Sequence, residues 1–105
     1  MSESYIQLVI REFKRLQSLA DDAISQLSEE QFFATLAPSD NSVAVIVKHV
    51  SGNLISRWTD FLTSDGEKPG RDRDTEFRIT ASDSRERLLQ LWSCGWTSLF
   101  KALAP

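Results

Sequence analysis

From about Ser4 to Leu27 the apolar residues Ile6, Val9, Phe13, Leu16, Ala20, Ala23 and Leu27 recur alternately three and four positions apart, the period of one face of an α-helix. Arg11, Glu12, Lys14, Arg15, Gln17, Asp21 and Asp22 fall mostly outside this seam and form a solvated face. Neither Gly nor Pro interrupts the run, and its length suits a helix of a bundle. Ser28-Glu29-Glu30-Gln31 has the form of a capping box and predicts a short helical turn through Phe32, Phe33 and Leu36. The chain then breaks at Ala37-Pro38-Ser39-Asp40, because proline removes a donor and restrains the residue before it. Asn41 or Ser42 caps a second long helix reaching about Thr63, with an apolar stripe of Val43, Ile46, Val47, Val50, Leu54, Trp58, Phe61 and Leu62. Between Ser64 and Thr80 the periodicity disappears, Gly66, Pro69 and Gly70 mark turns, and charges alternate in sign. This segment reads as a long crossover loop closed by charge pairs. Ser82 or Asp83 caps a third long helix that carries Leu88, Leu89, Trp92, Gly95, Trp96, Leu99, Phe100 and Leu103 on one side. The expected fold class is all-α, an up-down helical bundle of three long helices.

Composition adds limits to this outline. A chain of 105 residues that is 41% hydrophobic has apolar material for one small core, so residues 1–105 are read as a single domain. The net charge of −3 argues against a nucleic-acid surface, which needs an excess of cations over phosphates. No stretch resembles a membrane span, and Met1-Ser2-Glu3-Ser4 lacks the basic and then apolar pattern of a secretion signal, so a cytoplasmic location is expected. A single cysteine, Cys94, has no internal disulfide partner and is read as a small core residue. Trp58, Trp92 and Trp96 are read as core or interface rings.

The candidate chemistry centres on His49, the only histidine, which lies beside the apolar stripe of the second helix with Val45, Gly52, Asn53 and Ser56 above and below it. One imidazole makes neither a catalytic triad nor a complete metal site. The plain reading is a half-buried side chain bonded to a backbone carbonyl or a carboxylate. Asp60, Asp65, Asp72, Asp74 and Glu76 lie in or near the loop and supply the candidate carboxylates.

The segments Asn41-Ser42-Val43-Ala44, Val47-Lys48-His49-Val50-Ser51-Gly52-Asn53, Ser56 to Pro69 and Arg71 to Phe77 together closely resemble a branch of the DinB-like bundle proteins. Leu91-Trp92-Ser93-Cys94-Gly95-Trp96 is similar to the third helix of the same branch. The resemblance implies a four-helix bundle holding a divalent metal, zinc or nickel, on three histidines, and in several relatives a thiol S-transferase activity toward bacillithiol or mycothiol. It places His49 as the first metal ligand. It also suggests Asn53, Arg57, Arg71 and Arg73 as residues that would face a small acidic thiol cofactor. The other two ligands of that pattern form a His-x-x-x-His pair on a later helix, and no histidine follows His49. The expectation is therefore a C-terminally truncated DinB-like domain with no cofactor of its own, whose open groove is completed by homodimerisation.

Overall fold

Ser4, Ser28, Ser42 and Ser84 each place a hydroxyl over the free amides of a following helix, and these four caps set where the helices of the computed structural model begin. The structure describes residues 4–37, 39–63 and 71–104. Helix α1 spans Tyr5–Ser25, α2 Glu29–Phe33, α3 Val43–Trp58 and α4 Arg85–Leu103, and a 3-10 turn covers Asp74–Phe77. No strand occurs among the described residues. The expected proline break at Pro38, the turns at Gly66, Pro69 and Gly70, and the carboxylate of Asp65 lie outside them.

The capping box at Ser28 and Gln31 forms with both of its reciprocal hydrogen bonds. Ser4 and Gln7 make a second one with the same spacing, which the sequence signal S-x-x-Q also encodes. Of the two residues expected to cap α3, Ser42 does so. α4 is capped by Ser84 and by neither Ser82 nor Asp83, because Asp83 turns its carboxylate to Lys48 and Thr80 and the Ser82 hydroxyl pairs with Thr80. Two helices stop earlier than their apolar pattern suggests. α2 ends at Phe33 because Ala34 is extended, which leaves Leu36 fully exposed. α3 ends at Trp58, since Thr59 is extended and Asp60 takes a positive φ of 52°. Phe61 and Leu62 are consequently exposed and do not continue the stripe.

Which side chains meet across the helices gives their directions. Lys48 pairs with Asp83 near the starts of α3 and α4, and Leu54 lies against Gly95 further along, so these two helices run parallel. A parallel pair needs a connection that returns along its length, which is why the segment between them crosses over. On α1, Phe13 meets Trp96 and Asp21 accepts from the Trp92 indole, so α1 runs antiparallel to α4. Arg85, at the first turn of α4, donates to the carbonyls of Ile24 and Leu27 at 2.9 and 2.8 Å and lies over the Phe32 ring. It adds a side-chain donor to these carbonyls at and just past the end of α1 and ties three helices together.

The core is formed by Ile24, Phe32, Ala44, Val47, Leu88, Trp92, Trp96 and Leu99, each larger member contributing roughly 1.5–3 kcal/mol by leaving water. The α4 stripe lies where its period places it, and so does the α3 stripe at Val43, Val47, Val50, Leu54 and Trp58. On α1 the buried side is rotated: Ile24 is buried, Phe13 and Ala20 pack beside it, and Leu16 and Ala23 of the expected seam face solvent. On α3, Ala44, Val47 and Ser51 face inward while Ile46 is half exposed. Small residues win here because α3 and α4 approach closely. A Cβ on Gly95 would stand 3.1 Å from the Leu54 side chain and 3.4 Å from the Ser51 carbonyl. Cys94, one position earlier on the same helix, is exposed, contrary to its reading as a core residue.

Candidate functional site

His49 lies midway along α3, three residues before Gly52, and this spacing stacks the two positions on one face of the helix. The 3-10 turn of the crossover sits on that face. Its Glu76 side chain occupies the space that Gly52 leaves: a Cβ at residue 52 would fall 2.0 Å from Glu76 Oε2. The missing Cβ is thus the condition for the carboxylate to seat.

Glu76 is held from two sides. His49 Nδ1 lies 3.0 Å from its Oε1, and Arg71 donates from Nε to Oε2 and from Nη2 to Oε1, both at 2.9 Å. The Arg71 and Glu76 side chains retain 6% and 9% of their exposure, and His49 retains 32%. Phe77, next in the chain, stacks on the imidazole with ring centres 4.7 Å apart and planes at 30°. Burial is the largest single influence on the Glu76 carboxyl and pushes its pKa up. The hydrogen bonds and charges of Arg71 and His49 together outweigh it, and the net direction is down. Glu76 is therefore an ionised acceptor, so the His49 ring nitrogen that faces it, Nδ1, is the donor.

A second anchor lies one end away. Lys48 donates to Asp83 Oδ2 at 2.7 Å and to the Arg78 carbonyl at 2.9 Å, and Asp83 also accepts from the Thr80 amide. Burial pushes the Asp83 carboxyl up, but Lys48 and Thr80 prevail and hold it below the ordinary aspartate range. The charge pairing expected of the loop is found within it, between Arg71 and Glu76, and a further pair, Lys48–Asp83, ties the residues that follow it to α3.

The residues named from the resemblance lie on α3 and on the crossover. Arg71 is drawn to His49 through Glu76. Asn53 is half-buried on α3, Arg57 is exposed one turn further on, and Arg73 is exposed at the entry to the 3-10 turn. Among the described residues no three His, Cys, Asp or Glu side chains come together as a metal-holding group. The donor chemistry around His49 explains this. The single carboxylate it touches is neutralised by a bidentate guanidinium, so one imidazole nitrogen remains where a catalytic zinc takes three protein ligands. The described residues do not by themselves fit the metal that the resemblance implies. A cavity of about 350 Å³ lies at the far ends of α3 and α4, lined by Trp58, Phe61, Leu62, Ser98 and Lys101 among others, and His49 is not part of its wall. Among the described residues, no helix is long and apolar enough to cross a membrane.

Glu76 was one of five candidate carboxylates in the sequence, and Gly52 is the signal that could have selected it. A glycine inside a helix weakens that helix and so marks a close approach by another group. Arg85 and Phe77 carry no comparable signal.

Residues 1–105 match the model of a family described as a protein of unknown function, DUF1572. Neither a curated protein nor a solved structure matches the chain.

Proposed function

The chain belongs to the DUF1572 family, a DinB-like family of unknown function, and from that premise we propose that it serves as a non-catalytic, self-associating helical bundle. The observation that carries this reading is the Arg71–Glu76–His49 arrangement, in which the histidine that would begin a metal site is occupied in fastening the crossover to α3. Exposed apolar side chains on α1, together with Leu36, Ile46 and Leu62, support association with another copy. The reading treats the chain as one domain with no nucleic-acid partner, working in the reducing cytoplasm, where the exposed Cys94 thiol stays reduced.

Two measurements on untagged protein test it. Sedimentation at micromolar concentration is expected to give twice the chain mass. Added zinc or nickel is expected to leave the melting temperature unchanged, and His49→Ala to lower it by loosening the crossover. A monomer contradicts the association. Stoichiometric metal binding that His49→Ala abolishes contradicts the structural role of His49.

One observation favours a second reading, a metal-dependent thiol S-transferase. The contact with Glu76 engages His49 Nδ1 and not Nε2, and metal-binding histidines are commonly fixed by such a carboxylate. A site of that kind needs its remaining ligands from a partner chain or from residues outside those described. In it, zinc or nickel would hold a thiol as its nucleophilic thiolate. Asn53, Arg57 and Arg73 would face the small acidic thiol, while Arg71 would position His49 through Glu76.

A further inference from the structure

We infer that a second copy of this chain docks on α1 in an antiparallel, two-fold pairing centred on Glu12. The inference rests on the self-association proposed above and names its surface. Away from the flank that packs on α4, α1 presents Tyr5, Leu8, Leu16 and Leu19, which are 78, 43, 42 and 55% exposed. At 100° per residue, these four positions and Glu12 fall within an arc of about 80°. They form a continuous stripe, unlike the scattered apolar residues that any surface carries.

The stripe is symmetric about its centre. Tyr5 and Leu19 each lie seven residues from Glu12, and Leu8 and Leu16 each lie four. An unrelated partner has no cause to impose that symmetry. A two-fold axis does, because an isologous interface brings the same patch from both copies together. With the axis through residue 12, Tyr5 meets Leu19 of the partner subunit and Leu8 meets Leu16 of the partner subunit. Every large apolar residue of the stripe then faces another.

Charge at the axis fits the same pairing. Glu12 accepts from Arg15 Nε within its own helix, at 3.1 Å from Oε2. In the pair, each Arg15 lies one helical turn from the axis, within reach of the other copy's Glu12 as well as its own. Two carboxylates and two guanidiniums then alternate, so the centre is neutral and not repulsive.

The test uses the full chain carrying Cys94→Ser, which removes the exposed thiol. Glu12→Cys in that background is expected to form a covalent dimer on mild oxidation or with a short bis-maleimide, because residue 12 faces its own copy across the axis. Arg11→Cys, about 100° round the helix, is expected to remain uncrosslinked. Leu16→Lys, with far-UV circular dichroism confirming an intact fold, is expected to weaken the dimer on the order of a hundredfold, since each substitution enters the interface twice. A dimeric wild type whose Glu12→Cys form fails to crosslink, or whose Leu16→Lys form stays dimeric, overturns the pairing and leaves self-association standing. A monomeric wild type removes both.

Discussion

The two flanks of α4 are packed by different means. Against α3, the contact is close and parallel, with Gly95 over Leu54 and Ser51, buried Val47 and Leu99, and a crossover clamped by Lys48–Asp83 and Arg71–Glu76–His49. Against α1, the contact is made by rings and single polar ties: Phe13 on Trp96, Trp92 to Asp21, and Arg85 to the α1 carbonyls. The first flank depends on small residues that let backbones approach. The second depends on large side chains that bridge a wider gap, and it leaves the outer side of α1 to water. The pair α3–α4 is thus the rigid frame, and α1 is a helix held along one edge with its other edge available.

The largest effect is expected from Leu99→Ala, which removes a side chain that is 1% exposed from the frame. It should destabilise the fold by about 2–5 kcal/mol in urea unfolding. A cost under about 1 kcal/mol would mean that the frame is not where stability is concentrated.

Glu76→Ala comes next, at about 3 kcal/mol, because it strands the buried Arg71 guanidinium and removes the acceptor of His49, on which Phe77 stacks. The same clamp gives a pH dependence. Glu76 and Asp83 have pKa values lowered by folding, so their contribution is fully present above the ordinary carboxylate range. It is lost as pH falls through that range, around 4, and below it. Thermal unfolding followed from pH 6 to pH 3 should show this loss, and Glu76→Ala should flatten it. An unchanged slope in the variant would assign the acid sensitivity elsewhere.

The smallest effect is expected on the α1 flank. Asp21→Ala removes the acceptor of the Trp92 indole, which can still turn toward water at the edge, and should cost about 1 kcal/mol. If it cost as much as Leu99→Ala, α1 would belong to the frame and the contrast between the flanks would fail.

The elements themselves were legible in the residues. Periods of three and four gave the long helices, and the hydroxyl caps at Ser28 and Ser42 gave two of the starts, because these signals act within one turn of chain. The stripe of α4 was also readable, since its neighbours on both flanks call for large apolar groups. The stripe of α3 was readable from Val43 to Trp58 except at Ile46, but Ala44 and Ser51 join its buried face with little hydrophobic signal of their own. The stripe of α1 is rotated toward Ile24, because period alone fixes a helix but not which side meets the larger neighbour. Cys94 lies off the α4 stripe, and its expected burial rested on the usual behaviour of cysteine and not on its position.

For the candidate site, the sequence by itself determined that there is one imidazole and that acidic residues follow it in the crossover. It could not choose among those acids, because Glu76 is twenty-seven residues from His49 and the choice depends on how the crossover lies across α3. The tertiary structure decided that choice through a steric condition at Gly52 and an electrostatic one at Arg71. The sequence likewise contains the symmetric spacing of Tyr5, Leu8, Leu16 and Leu19. Only the packing of α1 by one edge on α4 shows that this stripe is left facing water, since burial of a helix face depends on which neighbours the rest of the chain delivers to it.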